Sequence, residues 1–166
     1  MKVAKKPSKA DLIVALKLRL EEELATATLA HKTTKDAATH EEAKPENDKD
    51  TRALEQSYLA RGQAQRVLDL QAAVHDVTVL GLRDFAEQTP IALTALVATE
   101  DEDGVEAHYF VAPAGGGTKL ALGKKAVTVV TPKAPLGAAL LGKRVGEDVT
   151  VTLAGRARSL TIVSVE

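Results

Sequence analysis

The residues best equipped for chemistry are five carboxylates within ten positions, Glu41, Glu42, Glu46, Asp48 and Asp50, set among Lys44 and Lys49. That stretch is acidic. The same residues have an architectural reading. Thr39-His40-Glu41-Glu42 has the form of a capping box, while Asp48 and Asp50 favour the start of a helix through capping and the helix dipole. Other chemistry is poorly supplied. The chain has no cysteine, so it has no disulfide framework and no thiolate metal site, and His31, His40, His75 and His108 show no ligand spacing. Gly115-Gly116-Gly117-Thr118-Lys119 lacks the four-residue gap of a phosphate-binding loop and joins strand to strand, so it is read as a flexible loop.

Two periodic segments flank the acidic run and must position it. From Ser8, a fair N-cap, apolar or small residues recur at Ile13, Leu16, Leu20, Leu24, Ala27, Ala30, Thr34 and Ala37, which predicts a long helix from Ser8 to Ala38. After Pro45 the spacing restarts at Leu54, Tyr58, Arg61, Ala64, Leu68, Gln71 and Ala72, predicting a second helix from about Thr51 to His75 with Tyr58 in its seam. Small seam residues allow close approach, and the short connection requires an antiparallel pair with the acidic segment, near 39–50, at its tip. Folding of both helices back onto a compact α+β domain is the alternative arrangement.

Beyond Val77 the period shortens to strand-like runs: Ile91 to Ala98, Val105 to Ala112, Ala126 to Val130, Asp148 to Leu153 and Ser159 to Val165, with Gly155 at a hairpin turn. Pro135 to Gly142 reads as a short helix opened by Pro and closed by Gly. The expected fold class is therefore α+β. A long antiparallel coiled-coil hairpin over 1–76 is followed by a linker over 77–90 and a small antiparallel β domain with one short helix over 91–166.

A net charge of −1 excludes a surface devoted wholly to phosphate, although residues 1–10 carry four Lys and no acid. No run approaches the ~18 apolar residues of a membrane span, and the basic start lacks the apolar stretch of a signal peptide, so a cytoplasmic, membrane-free protein is expected.

The stretch Val129-Val130-Thr131-Pro132-Lys133-Ala134-Pro135-Leu136-Gly137-Ala138-Ala139-Leu140-Leu141-Gly142-Lys143-Arg144-Val145-Gly146-Glu147-Asp148-Val149 resembles the C-terminal domain of bacterial Gre factors. That family shows a strand, a short helix ending in Ala-Leu-hydrophobic-Gly-Lys, then Val-Gly-Asp and a closing hairpin; Ile162 to Glu166 is similar to its last strand. The resemblance implies an FKBP-like β domain behind an N-terminal coiled-coil hairpin. It further implies a monomeric partner of bacterial RNA polymerase, docked on the secondary-channel rim through Pro135, Leu136, Leu140 and Leu141. Tip carboxylates would then reach the active site and stimulate the polymerase's own cleavage of a backtracked RNA 3′ end, the factor having no turnover itself.

On that reading Glu46, Asp50 and Glu42 are the catalytic candidates. Glu46 and Asp50 would share a Mg²⁺ only within the polymerase complex, no cofactor being held stably by the chain alone. Lys44, Lys49, Arg52 and Arg61 would contact nucleic acid or the channel, as Lys32, Lys35 and Arg66 could along the hairpin. Glu46-Asn47 and Tyr58-Leu59-Ala60-Arg61 match parts of the family's tip. Glu42-Ala43-Lys44-Pro45 stands where its Gly-Asp-hydrophobic element belongs, however, and no single register reproduces both family carboxylates. A regulatory relative that occupies the channel without stimulating cleavage fits the same residues, and an adaptor using the hairpin for another partner is a third class. An isomerase is not expected from a C-terminal half whose aromatics are Phe85, Tyr109 and Phe110.

Overall fold

A computed structural model describes residues 8–42, 51–153 and 155–166, with side chains described at 8–37, 54–152 and 155–166. The elements in order are α1 (Lys9–Glu42), α2 (Thr51–Thr78), β1 (Leu96–Asp101), β2 (Glu106–Val111), β3 (Lys119–Leu122), β4 (Lys125–Val130), α3 (Pro135–Leu140), β5 (Asp148–Leu153) and β6 (Arg156–Val165). The expected class, a helical hairpin followed by a small β-rich domain with one short helix, is the observed one.

The start of α1 is set by a local cap. The Ser8 backbone N–H and hydroxyl both donate to Asp11 Oδ2, at 2.8 and 2.9 Å, which satisfies a donor that the start of the helix would otherwise leave open. Four threonines further along are poor helix formers, but each turns its hydroxyl back onto the helix. Thr26, Thr28, Thr33 and Thr34 donate to the carbonyl four residues earlier, at 2.7–3.0 Å. Because α1 continues to Glu42, Thr39-His40-Glu41-Glu42 lies inside a helix and the capping-box reading fails.

The chain divides into two compact units: Leu18–His75 on the one hand, Met1–Lys17 with Asp76–Glu166 on the other. The first is the antiparallel hairpin. Among its described residues the buried apolar ones are Leu20 and Leu70, and Arg66 Nη2 reaches Glu23 Oε2 across the helices at 3.0 Å. On α2 the inward face is Gln56, Ala60, Gln63, Val67, Leu70 and Val74, an alternating four-and-three spacing. The stripe anticipated from Leu54, Tyr58 and Leu68 is the outer face, with those three side chains 59–66% exposed. On α1 the expected seam is largely observed, with His31 rather than Ala30 turned inward. The seam is therefore mixed, and in it His31 Nδ1 and Gln63 Oε1 are shielded and make no hydrogen bond among the described residues.

In the second unit six strands form one sheet in the order β3-β4-β2-β1-β6-β5. All neighbours are antiparallel except β2 and β4, which run parallel with Tyr109 beside Thr128 and Val111 beside Val130. This departs from the wholly antiparallel expectation. The cause is β3, a four-residue strand with a single buried residue, Leu120, that returns the chain so that β4 can pair with β2 in the same direction. One sheet face packs Val97, Val111, Val130, Val149, Leu160 and Ile162 against Leu136 and Leu140 of α3. The other carries buried Leu96, Ala98, Phe110, Val127 and Val129, and in the same unit Leu12, Leu16 and Val77 are also buried. Gly115 sits against Leu16 with φ +77°, so both the close approach and the backbone conformation call for glycine there.

Ahead of β1, Ile91 to Ala95 is mostly apolar and partly buried but is not strand. Thr94 adopts φ +73°, which breaks the extended run, and its hydroxyl accepts from the Arg83 N–H at 3.0 Å. The Arg83 carbonyl accepts from Lys9 Nζ at 2.6 Å, and the same ammonium stands 4.9 Å over the Phe85 ring. The segment between α2 and β1 is thus pinned from both sides.

Candidate functional site

The acids and bases that mark the tip in sequence, Glu46, Asp50, Lys44 and Lys49, lie outside the described residues. Glu42 is the last residue of α1 and Arg52 the second of α2, so their backbones flank the tip. At about 1.5 Å per residue, the 34 residues of α1 span roughly 50 Å. Among the described residues no group of three or more His, Cys, Asp or Glu is arranged to hold a metal ion. The Mg²⁺ assignment to Glu46 and Asp50 therefore stays with the sequence.

Along the hairpin the basic residues part company. Arg61 is exposed, whereas Arg66 is engaged by Glu23 and lines a groove of about 400 Å³ with Arg19, Glu22, Thr26, Ala27, Ala30 and Leu70. Tyr58 points away from the seam, 66% exposed, which corrects its reading as a packing residue.

The short helix α3 is built by its ends. Pro135 occupies the first turn, where a missing N–H leaves no bond unmade, Ala134 is extended, and Gly142 closes the segment with φ +77°. Gly137 lies directly on the Thr131 carbonyl, with no room for a Cβ. Of the four docking candidates, Pro135 is exposed and Leu141 half-buried, but Leu136 is 7% and Leu140 0% exposed. The last two therefore differ from the expectation of contact residues. Four positions apart, about one helical turn, they point together into the sheet and anchor α3, while Lys133, Pro135 and Ala138 form the outer surface here.

After α3, Glu147 accepts from the Arg144 N–H at 2.7 Å and from Lys143 Nζ at 3.2 Å. These bonds, the backbone one foremost, hold its carboxyl below the usual value near 4.5. A lowered folded-state pKa contributes stability above the ordinary value and loses it as pH falls through the folded value. Glu147→Gln is therefore expected to narrow the gap in thermal midpoint between pH 7 and pH 3 relative to wild type. An unchanged gap would show that the turn draws nothing from the charge.

Asp101 and Arg158 form a polar pair that sequence reasoning did not single out. Asp101 Oδ1 accepts from the N–H groups of Asp103 and Val105, closing the β1–β2 turn, and Arg158 Nη1 lies 3.8 Å from Oδ2. Burial, then the Asp101 charge, pushes the Tyr109 phenol up. Phe110 is wholly buried on the sheet face away from α3.

No helix among the described residues is long and apolar enough to cross a membrane. Residues 118–166 match the family described as transcription elongation factor, GreA/GreB, C-terminal. No curated protein matches the chain. Among solved structures it is similar to the GreA factor homolog 1 (Gfh1) of Thermus thermophilus, at 20% identity over 90% of this chain and 94% of that one, TM-score 0.39. Gfh1 of Thermus aquaticus gives 19% identity, 89% and 92% coverage and a TM-score of 0.39. The GreA/GreB factor of Nitrosomonas europaea gives 17% identity, 66% and 88% coverage and a TM-score of 0.37.

Proposed function

We propose, because residues 118–166 match the GreA/GreB C-terminal domain family, that this protein is a transcription elongation factor that binds bacterial RNA polymerase and acts through its hairpin. The observation that carries this reading is the family match. A second supports it: the domain follows an antiparallel hairpin whose first helix runs about 50 Å and whose connecting segment is acidic. The β domain would dock at the rim of the secondary channel through the surface around Pro135. The hairpin would bring Glu46, Asp50 and Glu42 to the polymerase active site, with Lys44, Lys49, Arg52 and Arg61 facing the channel and the RNA.

The factor itself has no turnover on this proposal. Its carboxylates would supply oxygen ligands to a Mg²⁺ held jointly with the polymerase, a hard ion that favours such donors. The chain's own contribution is to place negative charge at the end of a helical pair and to orient the attacking water.

A second reading rests on a specific feature, the replacement of the family's Gly-Asp-hydrophobic element by Glu42-Ala43-Lys44-Pro45. With that change the protein would occupy the channel and modulate the polymerase without stimulating cleavage. Stalled, backtracked elongation complexes separate the two. Stimulation of 3′ transcript cleavage by wild type, reduced at least about tenfold in Glu46→Ala and Asp50→Ala, is the expected outcome. Binding with no acceleration would select the modulator, cleavage that survives both changes would remove the tip assignment, and failure to bind polymerase would remove both readings.

A further inference from the structure

Half of the Lys and Arg residues of 91–166 lie on or beside the β3–β4 edge of the sheet. Between Ala107 and Gly146 the chain has six Lys and Arg residues and no Asp or Glu. Two of them are engaged locally: Lys143 pairs with Glu147, and Arg144 Nε donates to the Gln88 carbonyl. The other four, Lys119, Lys124, Lys125 and Lys133, are exposed and make no ion pair among the described residues. The nearest carboxylate by strand register, Glu106 on β2, is 3.0 Å from His108.

Topology sets these lysines on and beside the edge, with Lys119 and Lys125 on opposite faces of it because Lys125 pairs with Leu122, three positions from Lys119. β3 is an edge strand, with Lys119 opposite Thr128 and Lys125 opposite Leu122, and Lys124 follows the Gly123 turn between β3 and β4. Lys133 follows β4 at the opposite end, on the Pro135 surface that polymerase would cover, so the free chain offers all four lysines and the docked one Lys119, Lys124 and Lys125. There the Gly115–Gly117 loop lies beside Thr131, closely enough that a Cβ on Gly116 would be 3.1 Å from Thr131 Cγ2. At about 3.3 Å per residue the four positions of β3 alone extend over roughly 13 Å.

Edge strands commonly carry a lysine to block pairing with another sheet. That role is served by a charge on the strand itself, whereas Lys124 and Lys133 lie beyond the strand ends. The other edge, β5, presents Asp148, Thr150 and Thr152 and no cation. The lysine edge also lacks the anchors of a protein interface. The exposed large apolar residues, Val79, Leu82, Val105 and Val163 among them, all fall outside 107–146, whereas protein partners select aromatics and arginine and avoid lysine. Flexible, strongly hydrated ammonium groups along an edge suit a sequence-independent phosphodiester backbone.

We propose that this edge binds the backbone of a single RNA strand. The choice of RNA rests on the polymerase reading above, in which a displaced transcript is the nucleic acid at hand; the phosphate chemistry does not.

The test uses the full chain alone, with fluorescence anisotropy on labelled oligouridylate and oligothymidylate of about twelve nucleotides across a salt series. Neutralising four phosphates on a single strand corresponds to a slope in log Kd against log salt of about 3. The variant K119Q/K124Q/K125Q/K133Q is expected to lose most of that slope and at least about tenfold in affinity at low salt, with its far-ultraviolet circular dichroism unchanged. Retained affinity and slope would overturn the proposal, as would loss caused instead by Lys32→Gln with Arg61→Gln on the hairpin. Tighter binding of oligothymidylate would overturn RNA as the occupant, and charge-for-charge competition by polyglutamate would transfer the edge to an acidic protein. No polymerase enters the assay, so its failure and a failure of transcript cleavage are told apart.

Discussion

Gly137→Ala is expected to destabilise the sheet domain by at least about 3 kcal/mol, the upper end of the range for overpacking. Helix propensity predicts the opposite sign. In an exposed helix, alanine in place of glycine gains up to about 1 kcal/mol because the unfolded chain loses freedom. Here the added Cβ would fall on the Thr131 carbonyl, which is backbone and cannot rotate away. Relief requires α3 to lift, and α3 carries Leu136 and Leu140 into the core. Gly62→Ala is the internal control. It too is a helical glycine, on α2, but nothing lies within 4 Å of its added Cβ, so it should be neutral or stabilising. Urea unfolding of both variants decides the matter, and equal midpoints would refute the close approach at Thr131.

Leu70→Ala is expected to destabilise the hairpin by about 2–3 kcal/mol, whereas Tyr58→Ala and Leu68→Ala should each stay within about 0.5 kcal/mol. Leu70 is 3% exposed and meets a seam with few other large apolar groups, while Tyr58 and Leu68 are 66% and 59% exposed. The loss for Leu70 falls at the low end of the leucine range because a pair of helices can partly close the gap. Hydrogen exchange of hairpin amides, together with unfolding followed by helical circular dichroism, reads the difference. If Tyr58→Ala proved the damaging change, the outer stripe rather than the face of Gln56, Ala60, Gln63, Val67, Leu70 and Val74 would be the seam.

That contrast shows where sequence periodicity was sufficient and where it was not. A three-to-four spacing was enough to predict α2, yet α2 carries two such stripes. Leu54, Tyr58 and Leu68 are larger and more conspicuous than Gln56, Ala60 and Gln63, so counting apolar residues selects the wrong face. Only packing against α1, with Glu23 meeting Arg66 and Leu20 and Leu70 both buried, selects the other. The sheet repeats the lesson. The strands β2, β4, β5 and β6 were visible as alternating or apolar runs bounded by turns, but β3 has one buried residue in four and leaves almost no periodic signal. Missing it also hid the parallel pairing of β2 with β4.

The candidate site divides in the same way. Pro135 and Gly142 mark the ends of α3 by conformational preference alone, so the helix was legible. Which of its side chains face outward was not, because Leu136, Leu140 and Leu141 are equally apolar in sequence and differ only in what the sheet covers.

The division into a long helical hairpin and a β-rich domain, the acidic segment between the helices and the motif shared with a known domain family all follow from the residues read in order. These are local properties: spacing, chain breakers and residue chemistry act within a few positions of one another. The hairpin seam, the parallel strand pair, the core positions of Leu136 and Leu140 and the gathering of four lysines around one sheet edge emerge only once the chain has folded. Each of these depends on which distant segment covers a surface, and burial against a partner far away in the chain leaves no mark on local spacing.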